Sequence, residues 1–112
     1  MVIGTFSMPL SPDRRADLLE MLQSIQEPVL AQPGCKGFHI YEEQCSEPVL
    51  VLIERWDSIA ALEDHIRSNV FRLILNALDL SCGQPDVCVE HVCANEGMEL
   101  IQRLRSQHRL AQ

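Results

Sequence analysis

The sequence predicts an α+β domain with the ferredoxin-like element order β-α-β-β-α-β and an extra C-terminal helix. Three observations support this fold class. Four segments have the apolar composition and the length of strands, and they lie at residues 2–8, 37–43, 49–56 and 86–93. Apolar residues recur at helical spacing between the first two segments and again between the last two. The chain has 112 residues, which suits one domain with a modest core.

The helix between the first two strands is predicted to begin at Ser11, a good N-cap residue, with Pro12 at its first position. Its apolar face repeats at helical spacing in Leu18, Leu22, Ile25 and Val29. Pro28 falls inside this pattern, and because proline lacks an N–H group, a kink is expected near Ser24. The helix is expected to end at Gln32-Pro33-Gly34.

Two further helical patterns separate the third strand from the fourth. Asp57 or Ser58 is expected to cap the first of them, which carries apolar residues at Ile59, Leu62 and Ile66. The second repeats at Phe71, Ile74, Leu75 and Leu78. A last helical pattern follows the fourth strand, so the sequence divides into a domain at residues 1–94 and a helical arm at residues 95–112.

The third strand is apolar on both of its faces. Alternation puts Val49, Val51 and Ile53 on one face, and it puts Leu50 and Leu52 on the other. Two helices can cover only one face of a four-stranded sheet, and a large bare apolar patch is rare on a soluble monomer. The sequence therefore predicts a homodimer in which two sheets pack face to face about a twofold axis.

The charge of the chain argues against two classes of partner. The net charge is −7 at pH 7, and the nine Lys and Arg residues are scattered. Nucleic acid and anionic membrane both bind to a concentrated basic surface, so neither is expected as a partner. The N-terminal segment lacks the basic start of a signal peptide, and no stretch has the length of a membrane span. A cytoplasmic location is therefore expected.

The five cysteines are expected to be reduced and to lie in the core as small apolar residues. They are Cys35, Cys45, Cys82, Cys88 and Cys93, and no two of them form a C-x-x-C pair. Because their spacing matches no zinc pattern, no metal site is predicted.

Three short motifs together resemble the antibiotic biosynthesis monooxygenase (ABM) family. They are Pro33-Gly34-Cys35 before the second strand, the E-x-W-x-S stretch from Glu54 to Ser58, and His65 with Ser68 shortly before Phe71. The resemblance covers most of the chain ahead of the C-terminal arm. It implies a dimeric α+β barrel with a pocket between sheet and helices. It also implies that quinols or polycyclic phenols are oxidised there without flavin or metal, because the substrate anion passes an electron to O₂.

His65 is the candidate catalytic base or oxyanion partner. A cofactor-free oxygenase needs a base to form the substrate anion, and histidine can accept a proton near neutral pH. The position of His65 beside an apolar helical stripe lets its ring face the space between sheet and helix. The alternative is a half-buried histidine whose ring nitrogens bond a backbone carbonyl and Glu54 or water.

Aromatic and polar residues around His65 complete the predicted site. Trp56 and Phe71 are either walls for an aromatic ligand or core packing, and Trp56 is assigned to the catalytic group. Asn69, also assigned there, can orient a substrate oxygen or only cap a helix. Arg72 can stabilise an oxyanion or lie in solvent. A further pair on one face of the second strand is expected to line a pocket or the dimer interface, and this pair is Tyr41 and His39.

Two departures from the family pattern bear on the function. Oxygenase members often carry an Asn on the first strand, where this chain has Thr5 and Ser7. Haem-degrading members carry a His where this chain has Leu75, which cannot ligate iron. The expected function is a cofactor-independent monooxygenase of a quinol or phenolic compound. The alternatives are a binding module that holds a small aromatic ligand without chemistry, and a dimer whose pocket is filled by side chains.

Overall fold

The computed structural model describes residues 1–44 and 46–111, with side chains up to Gln107. Within this part of the chain, four strands and five helices follow one another as β1 (Val2–Pro9), α1 (Arg15–Ser24), α2 (Gln26–Leu30), β2 (Cys35–Glu43), β3 (Val49–Trp56), α3 (Ile59–Arg67), α4 (Phe71–Asp79), β4 (Asp86–His91) and α5 (Met98–Ala111). The strands form one antiparallel sheet in the order β2-β3-β1-β4. The predicted ferredoxin-like fold with an extra C-terminal helix is confirmed.

β1 and β3 form the centre of the sheet. They pair from Val2 opposite Trp56 to Pro9 opposite Val49. β4 pairs with the other side of β1, and β2 pairs with the other side of β3. β2 and β4 are therefore edge strands, and the two central strands carry most of the strand residues that are buried against the helices.

Element ends differ from the predictions by two or three residues in three places. β2 begins at Cys35 rather than Gly37, and β4 ends at His91 rather than Cys93. α5 begins at Met98 rather than at residue 95. The third strand has the predicted bounds, because its apolar run ends sharply where the next helix is capped. The Ser58 side chain accepts a hydrogen bond from the Ala61 N–H at 3.2 Å.

The predicted start of the first helix was wrong. α1 begins at Arg15, and its N-terminus has no side-chain cap. Ser11 contributes its backbone carbonyl instead, which accepts a hydrogen bond from the Arg14 N–H at 3.1 Å. Residues 12–14 form a turn ahead of the helix, and the hydrogen bond between the Arg14 N–H and the Ser11 carbonyl closes this turn.

The predicted kink is confirmed. α1 ends at Ser24 and α2 begins at Gln26. Pro28 has no N–H to donate to the Ser24 carbonyl four residues earlier, which interrupts the helical hydrogen bonding. Ile25 and Val29 stay buried on either side of the proline, so the apolar face continues through the break.

The core lies between the sheet and helices α1–α4. On β3, Leu50 and Leu52 are buried in this core, whereas Val49, Val51 and Ile53 on the opposite face are half-buried. Apolar residues on both faces of this strand are thus confirmed. We call the helix-covered side the closed face of the sheet and the opposite side the open face. The homodimer expected on the open face stays a prediction.

The expectation that the cysteines are buried was wrong for most of those described. Cys82, Cys88 and Cys93 are exposed and Cys35 is half-buried; Cys45 lies outside the described residues. For Cys88 the reason is the position of β4, an edge strand whose residues are all exposed. Among the described residues, no three His, Cys, Asp or Glu side chains form a group that could hold a metal ion. The described helices are also too short or too polar to cross a membrane.

Candidate functional site

A carboxylate lies in the core on the closed face of β3. Alternation gives Glu54 the same side of the strand as Leu52 and Trp56, and its exposed fraction is 0%. A buried charge without partners is very unfavourable, so the position demands hydrogen-bond donors close by.

His65 is the main partner of this carboxylate. Its Nε2 atom lies 3.0 Å from the Glu54 Oε2 atom, and both side chains are fully buried. The Trp56 indole N–H donates a longer hydrogen bond of 3.4 Å to the other oxygen, Oε1. β3 supplies the carboxylate and the indole, and α3 supplies the imidazole, so two neighbouring elements build the pair.

Gln32 occupies the other nitrogen of the His65 ring. The Gln32 Oε1 atom lies 2.6 Å from the His65 Nδ1 atom, although the two residues are 33 positions apart in the chain. The loop after α2 carries Gln32, and it is held against α3 at Gly34. This glycine has a φ of 83°, which side-chain-bearing residues rarely adopt. A Cβ atom there would lie 2.6 Å from the Ala61 Cβ atom, so the loop approaches α3 more closely than any other residue would allow.

Two aromatic rings hold the imidazole in place. The Trp56 and His65 rings stack with centroids 4.6 Å apart, and the Phe71 ring meets His65 edge-on at 5.2 Å. The Ser68 hydroxyl donates to the His65 carbonyl at 2.6 Å and fixes the backbone at the end of α3. We call His65 and the four residues around its ring the His65 cluster, and its members are Gln32, Glu54, Trp56, His65 and Phe71.

The hydrogen bonds constrain where the protons lie. An amide oxygen only accepts, so the His65 Nδ1 atom opposite Gln32 carries a hydrogen in this arrangement. A carboxylate oxygen and a ring lone pair would repel, so a second proton lies between His65 Nε2 and Glu54 Oε2.

A cavity of about 150 Å³ opens beside the cluster. Its lining residues are Gln32, Pro33, Ala61, Asp64 and His65. Because Pro33 and Asp64 are exposed, the cavity is reached from the protein surface, and His65 lines it although its side chain is fully buried. This volume is smaller than the pockets that hold drug-sized ligands, which start at about 300 Å³.

The structure brings three of the predicted site residues together and separates four. Trp56, His65 and Phe71 are in contact. Asn69 and Arg72 are exposed at the junction of α3 and α4, where the Arg72 N–H donates to the Asn69 carbonyl at 3.1 Å. The remaining two, His39 and Tyr41, lie on the open face, and their functional roles stay predictions.

His39 and Tyr41 line a different cavity. They pair with Ile53 and Val51 of β3, which places their side chains on the open face, and their ring centroids are 6.1 Å apart. The cavity beside them measures about 260 Å³ and lies at the outer edge of β2. It is larger than the cavity at His65, but it contains no buried ionisable group, so we place the candidate site at His65.

Gln32 is the site residue that the sequence did not indicate. Glu54 was among the partners considered for His65, but the second partner is a side-chain amide rather than the expected backbone carbonyl. Alternation along β3 was the signal available for Glu54, since it puts a charge on the same face as Trp56. No local pattern marks Gln32, because only the folded loop brings it to α3.

Comparison with known proteins identifies the family. The model of the antibiotic biosynthesis monooxygenase family matches residues 1–76. The chain belongs to this family. The matched segment includes the whole His65 cluster and ends within α4, so β4 and α5 lie beyond it.

Two curated relatives match part of this ABM protein. Rv0793 of Mycobacterium tuberculosis, whose name presents it as a candidate monooxygenase, is 39% identical over 64 residues, or 57% of this chain and 60% of the relative. The uncharacterized protein sll1783 of Synechocystis is 26% identical over 70 residues, or 62% of this chain and 48% of the relative. The matches thus span about half to three-fifths of the length of these relatives.

Solved structures agree over most of the chain. The structure of Rv0793 superposes with a TM-score of 0.75 at 26% identity, covering 86% of this ABM protein and 98% of that chain. A Deinococcus radiodurans protein, described as a candidate antibiotic biosynthesis monooxygenase, superposes with a TM-score of 0.76 at 19% identity, covering 87% and 97%. At that lower identity the second comparison shows the fold alone.

Proposed function

We propose that this ABM protein is a cofactor-independent monooxygenase that acts on a quinol or phenolic compound at His65. The observation that carries the proposal is the buried Glu54–His65 pair, which lies beside a cavity open to the surface. Buried, hydrogen-bonded ionisable pairs beside a cavity are typical of sites where protons are handled. Family membership supports the same reaction class.

The proposed reaction needs no external reductant. A phenol and O₂ give a quinone and water, so the substrate supplies the electrons that reduce one oxygen atom to water. The role of the protein is to stabilise the substrate oxyanion, which is the form that passes an electron to O₂. A hydrogen on His65 Nδ1 can donate to that oxyanion, and Glu54 on the other side of the ring balances the positive charge.

The other predicted residues have subordinate roles in this proposal. Trp56 and Phe71 fix the plane of the imidazole, and they do so from within the core. Asn69 and Arg72 lie near the end of α3 and would contact a ligand that extends along the surface from the cavity. His39 and Tyr41 would contribute only to a site on the open face, where a second copy of the chain is expected to pack.

We further propose a homodimer formed through the open face. Members of this family are typically dimers. The open face carries half-buried Val49, Val51 and Ile53, which a second sheet would cover. α5 supplies a second apolar surface, since Met98, Ile101 and Leu104 are each more than half exposed. In this proposal the arm packs against the partner subunit.

Oxygen uptake with a panel of hydroquinones and phenols tests the enzyme proposal. Uptake is expected with the wild-type protein and is expected to fall sharply in His65→Ala. His91→Ala is the matched control, because His91 is exposed at the end of β4. Equal uptake by wild type and His65→Ala would refute the catalytic role of His65.

A binding module without chemistry is the second candidate function. The residues of β1 that face the helices are Val2, Gly4, Phe6 and Met8, so this strand offers no polar side chain to the closed face. Thr5 and Ser7, which stand where oxygenase members often have Asn, point to the open face. Thermal stabilisation by a phenol without oxygen uptake would select this function.

A further inference from the structure

The cavity at His65 offers a more specific inference about its ligand. We propose that the Gln32 amide covers the His65 Nδ1 atom in the unliganded protein, and that a hydroxyl oxygen of a single-ring phenol or hydroquinone takes its place. The choice of a phenolic ligand rests on the proposed function. The position of Gln32 as a displaceable cover rests on the geometry of the cavity.

The two nitrogens of the His65 ring face different surroundings. Nε2 points to the core, where Glu54 is fully buried and accepts a hydrogen bond from the Trp56 indole N–H. Nδ1 points to Gln32, which is half-buried and lines the cavity together with exposed Pro33 and Asp64. A ligand in the cavity can therefore reach only the Nδ1 side of the ring without opening the core.

Gln32 can leave this position without disturbing the core. It lies in the loop between α2 and β2, and the backbone of that loop is fixed independently at Gly34, whose carbonyl accepts from the Asp57 N–H at 2.8 Å. The side chain of Gln32 can then rotate while the loop stays in place. Its contact to the imidazole is one hydrogen bond of 2.6 Å, which a ligand oxygen can replace.

The exchange conserves the hydrogen-bond pattern. Nδ1 donates to an amide oxygen in the unliganded protein, and a phenol or phenolate oxygen accepts in the same way. The hydroxyl hydrogen of a neutral phenol can be donated to the carboxylate of Asp64, which lines the same cavity. A ring without a hydroxyl group offers no strong acceptor and would leave the Nδ1 hydrogen unpaired.

The size of the cavity favours a ligand with one ring. A protein cavity of about 150 Å³ holds one benzene molecule, and the cavity beside His65 has about this volume. Two or three fused rings would extend out of the cavity or displace its walls at Pro33 or Ala61. A single-ring ligand therefore fits better than the polycyclic phenols that the family resemblance implies.

Calorimetric titration of three Gln32 forms with hydroquinone tests the inference. In Gln32→Leu the bulk remains but the competing hydrogen bond is lost, so hydroquinone is expected to bind about threefold to tenfold more tightly. In Gln32→Glu a carboxylate bonds Nδ1 more strongly than the amide does, so hydroquinone is expected to bind about tenfold more weakly. The matched controls are Gln26→Leu and Gln26→Glu, because Gln26 is exposed and lines the other cavity. Both controls are expected to bind as wild type does.

Two further ligands and one spectroscopic signal complete the test. 1,4-Difluorobenzene, a ring of similar size without hydroxyl groups, and 2-naphthol, with two rings, are each expected to bind at least about tenfold more weakly than hydroquinone. The ¹⁵N signal of His65 Nδ1 is expected to shift on hydroquinone binding, while that of His39 does not.

Each of the following results either supports or overturns the inference. Changes of the same sign in Gln32→Leu and Gln32→Glu, 2-naphthol binding as tight as hydroquinone, or no hydroquinone binding would each overturn it. Binding with the expected Gln32 dependence but without oxygen uptake would support the inference and reject the enzyme. Oxygen uptake that is indifferent to Gln32 would support the enzyme and reject the inference.

Discussion

The two faces of β3 differ in what surrounds them, although their residues alternate along one strand. Leu50, Leu52, Glu54 and Trp56 face the helices and are all buried. Val49, Val51, Ile53 and Arg55 face the other way and are half-buried. The same eight residues thus contribute the carboxylate of an ionisable pair to the core, and they contribute an apolar strip to a surface that one chain does not cover. The difference shows that apolar composition alone does not distinguish a core from an association surface.

The position of the polar groups distinguishes the two faces better. On the closed face the only charged residue of β3 is Glu54, and its hydrogen bonds are provided by His65 and Trp56. On the open face Arg55 pairs with Ile3 of β1, and the polar residues Thr5 and Ser7 pair with Ile53 and Val51 further along β3. A satisfied buried charge requires a fixed environment, whereas scattered polar groups are compatible with a surface that forms by association. The following predictions test this contrast.

The largest effect is expected when the buried carboxylate is removed. Glu54→Ala leaves His65 Nε2 and the Trp56 indole N–H without their partner in the core, so the free energy of unfolding is expected to fall by about 3–5 kcal/mol. Arg55→Ala, one residue along and on the open face, is expected to lower it by less than about 1 kcal/mol. Urea denaturation of both variants measures the difference.

The double variant Glu54→Leu/His65→Leu sharpens the same test. It replaces both members of the pair with apolar side chains. Its loss in unfolding free energy is therefore expected to be smaller than the sum of the losses in Glu54→Leu and in His65→Leu. Additive losses would mean that the two side chains contribute separately, and that the closed face does not depend on their contact.

The second prediction concerns the loop that brings Gln32 to the closed face. Gly34→Ala adds a Cβ atom 2.6 Å from the Ala61 Cβ atom, at a φ of 83°. We expect a loss of about 1–3 kcal/mol in unfolding free energy, because the backbone conformation is unfavourable for alanine and the loop must move away from α3. Movement of the loop also breaks the Gln32–His65 contact, which ¹⁵N signals of the His65 ring would report.

Gly4→Ala is the control for this substitution. A Cβ atom at Gly4 would meet the Phe6 ring at 3.5 Å, which is ordinary contact distance. Its stability is expected to change little, and the His65 signals should stay as in wild type. Equal losses in both variants would show that Gly34 has no special role in holding the loop.

The sequence was most informative where structure depends on neighbours along the chain. The bounds of β3 and the Ser58 cap follow from an apolar run and from one side chain that accepts a local backbone N–H. The kink followed from the missing N–H of Pro28. Ser11 shows the limit of such local reasoning, because its backbone carbonyl rather than its side chain makes the contact with Arg14.

The site was less accessible to sequence reasoning because its geometry depends on distant residues. Alternation showed that His39 and Tyr41 share a face of β2, but it could not show which face the helices cover. The cysteines were misjudged for a related reason, since the exposure of Cys88 follows from β4 being an edge strand. Gln32 was missed because 33 residues separate it from His65.

The third prediction concerns a substitution that disrupts the open face and leaves the closed face intact. Ile53→Asp puts a charge where two sheets are expected to meet, so the dimer is expected to dissociate at least about tenfold more readily. Circular dichroism should stay that of wild type, because Ile53 does not face the core. Ile59→Asp, at an exposed position on α3, is the control and should leave sedimentation unchanged.

Removal of residues 95–112 is expected to weaken the same dimer. This truncation removes the exposed apolar residues of α5 and leaves the sheet in place. A wild-type chain that sediments as a monomer at micromolar concentration would contradict the use of the open face altogether. Unchanged sedimentation of the truncated chain would contradict only the role of the arm.

The smallest expected effect is a difference in alkylation rate between the half-buried thiol of Cys35 and the exposed thiols of the chain. Cys35 pairs with Trp56 at the end of β3, and burial raises the pKa of its thiol. Less of it is thiolate at a given pH, so its reaction with iodoacetamide is expected to be slow and to accelerate at higher pH than that of an ordinary thiol. Exposed Cys82, in the loop before β4, is the reference.

Cys88 reports on the open face in the same experiment. It pairs with Thr5 on that face and is exposed in a single chain. If two sheets pack together, Cys88 is expected to react more slowly than Cys82 at high protein concentration and to approach the rate of Cys82 on dilution. Cys35 should show no such dependence, because its protection comes from its own chain. Peptide mass mapping separates the three rates. A concentration-independent Cys88 rate equal to that of Cys82 would mean that the open face stays open in solution.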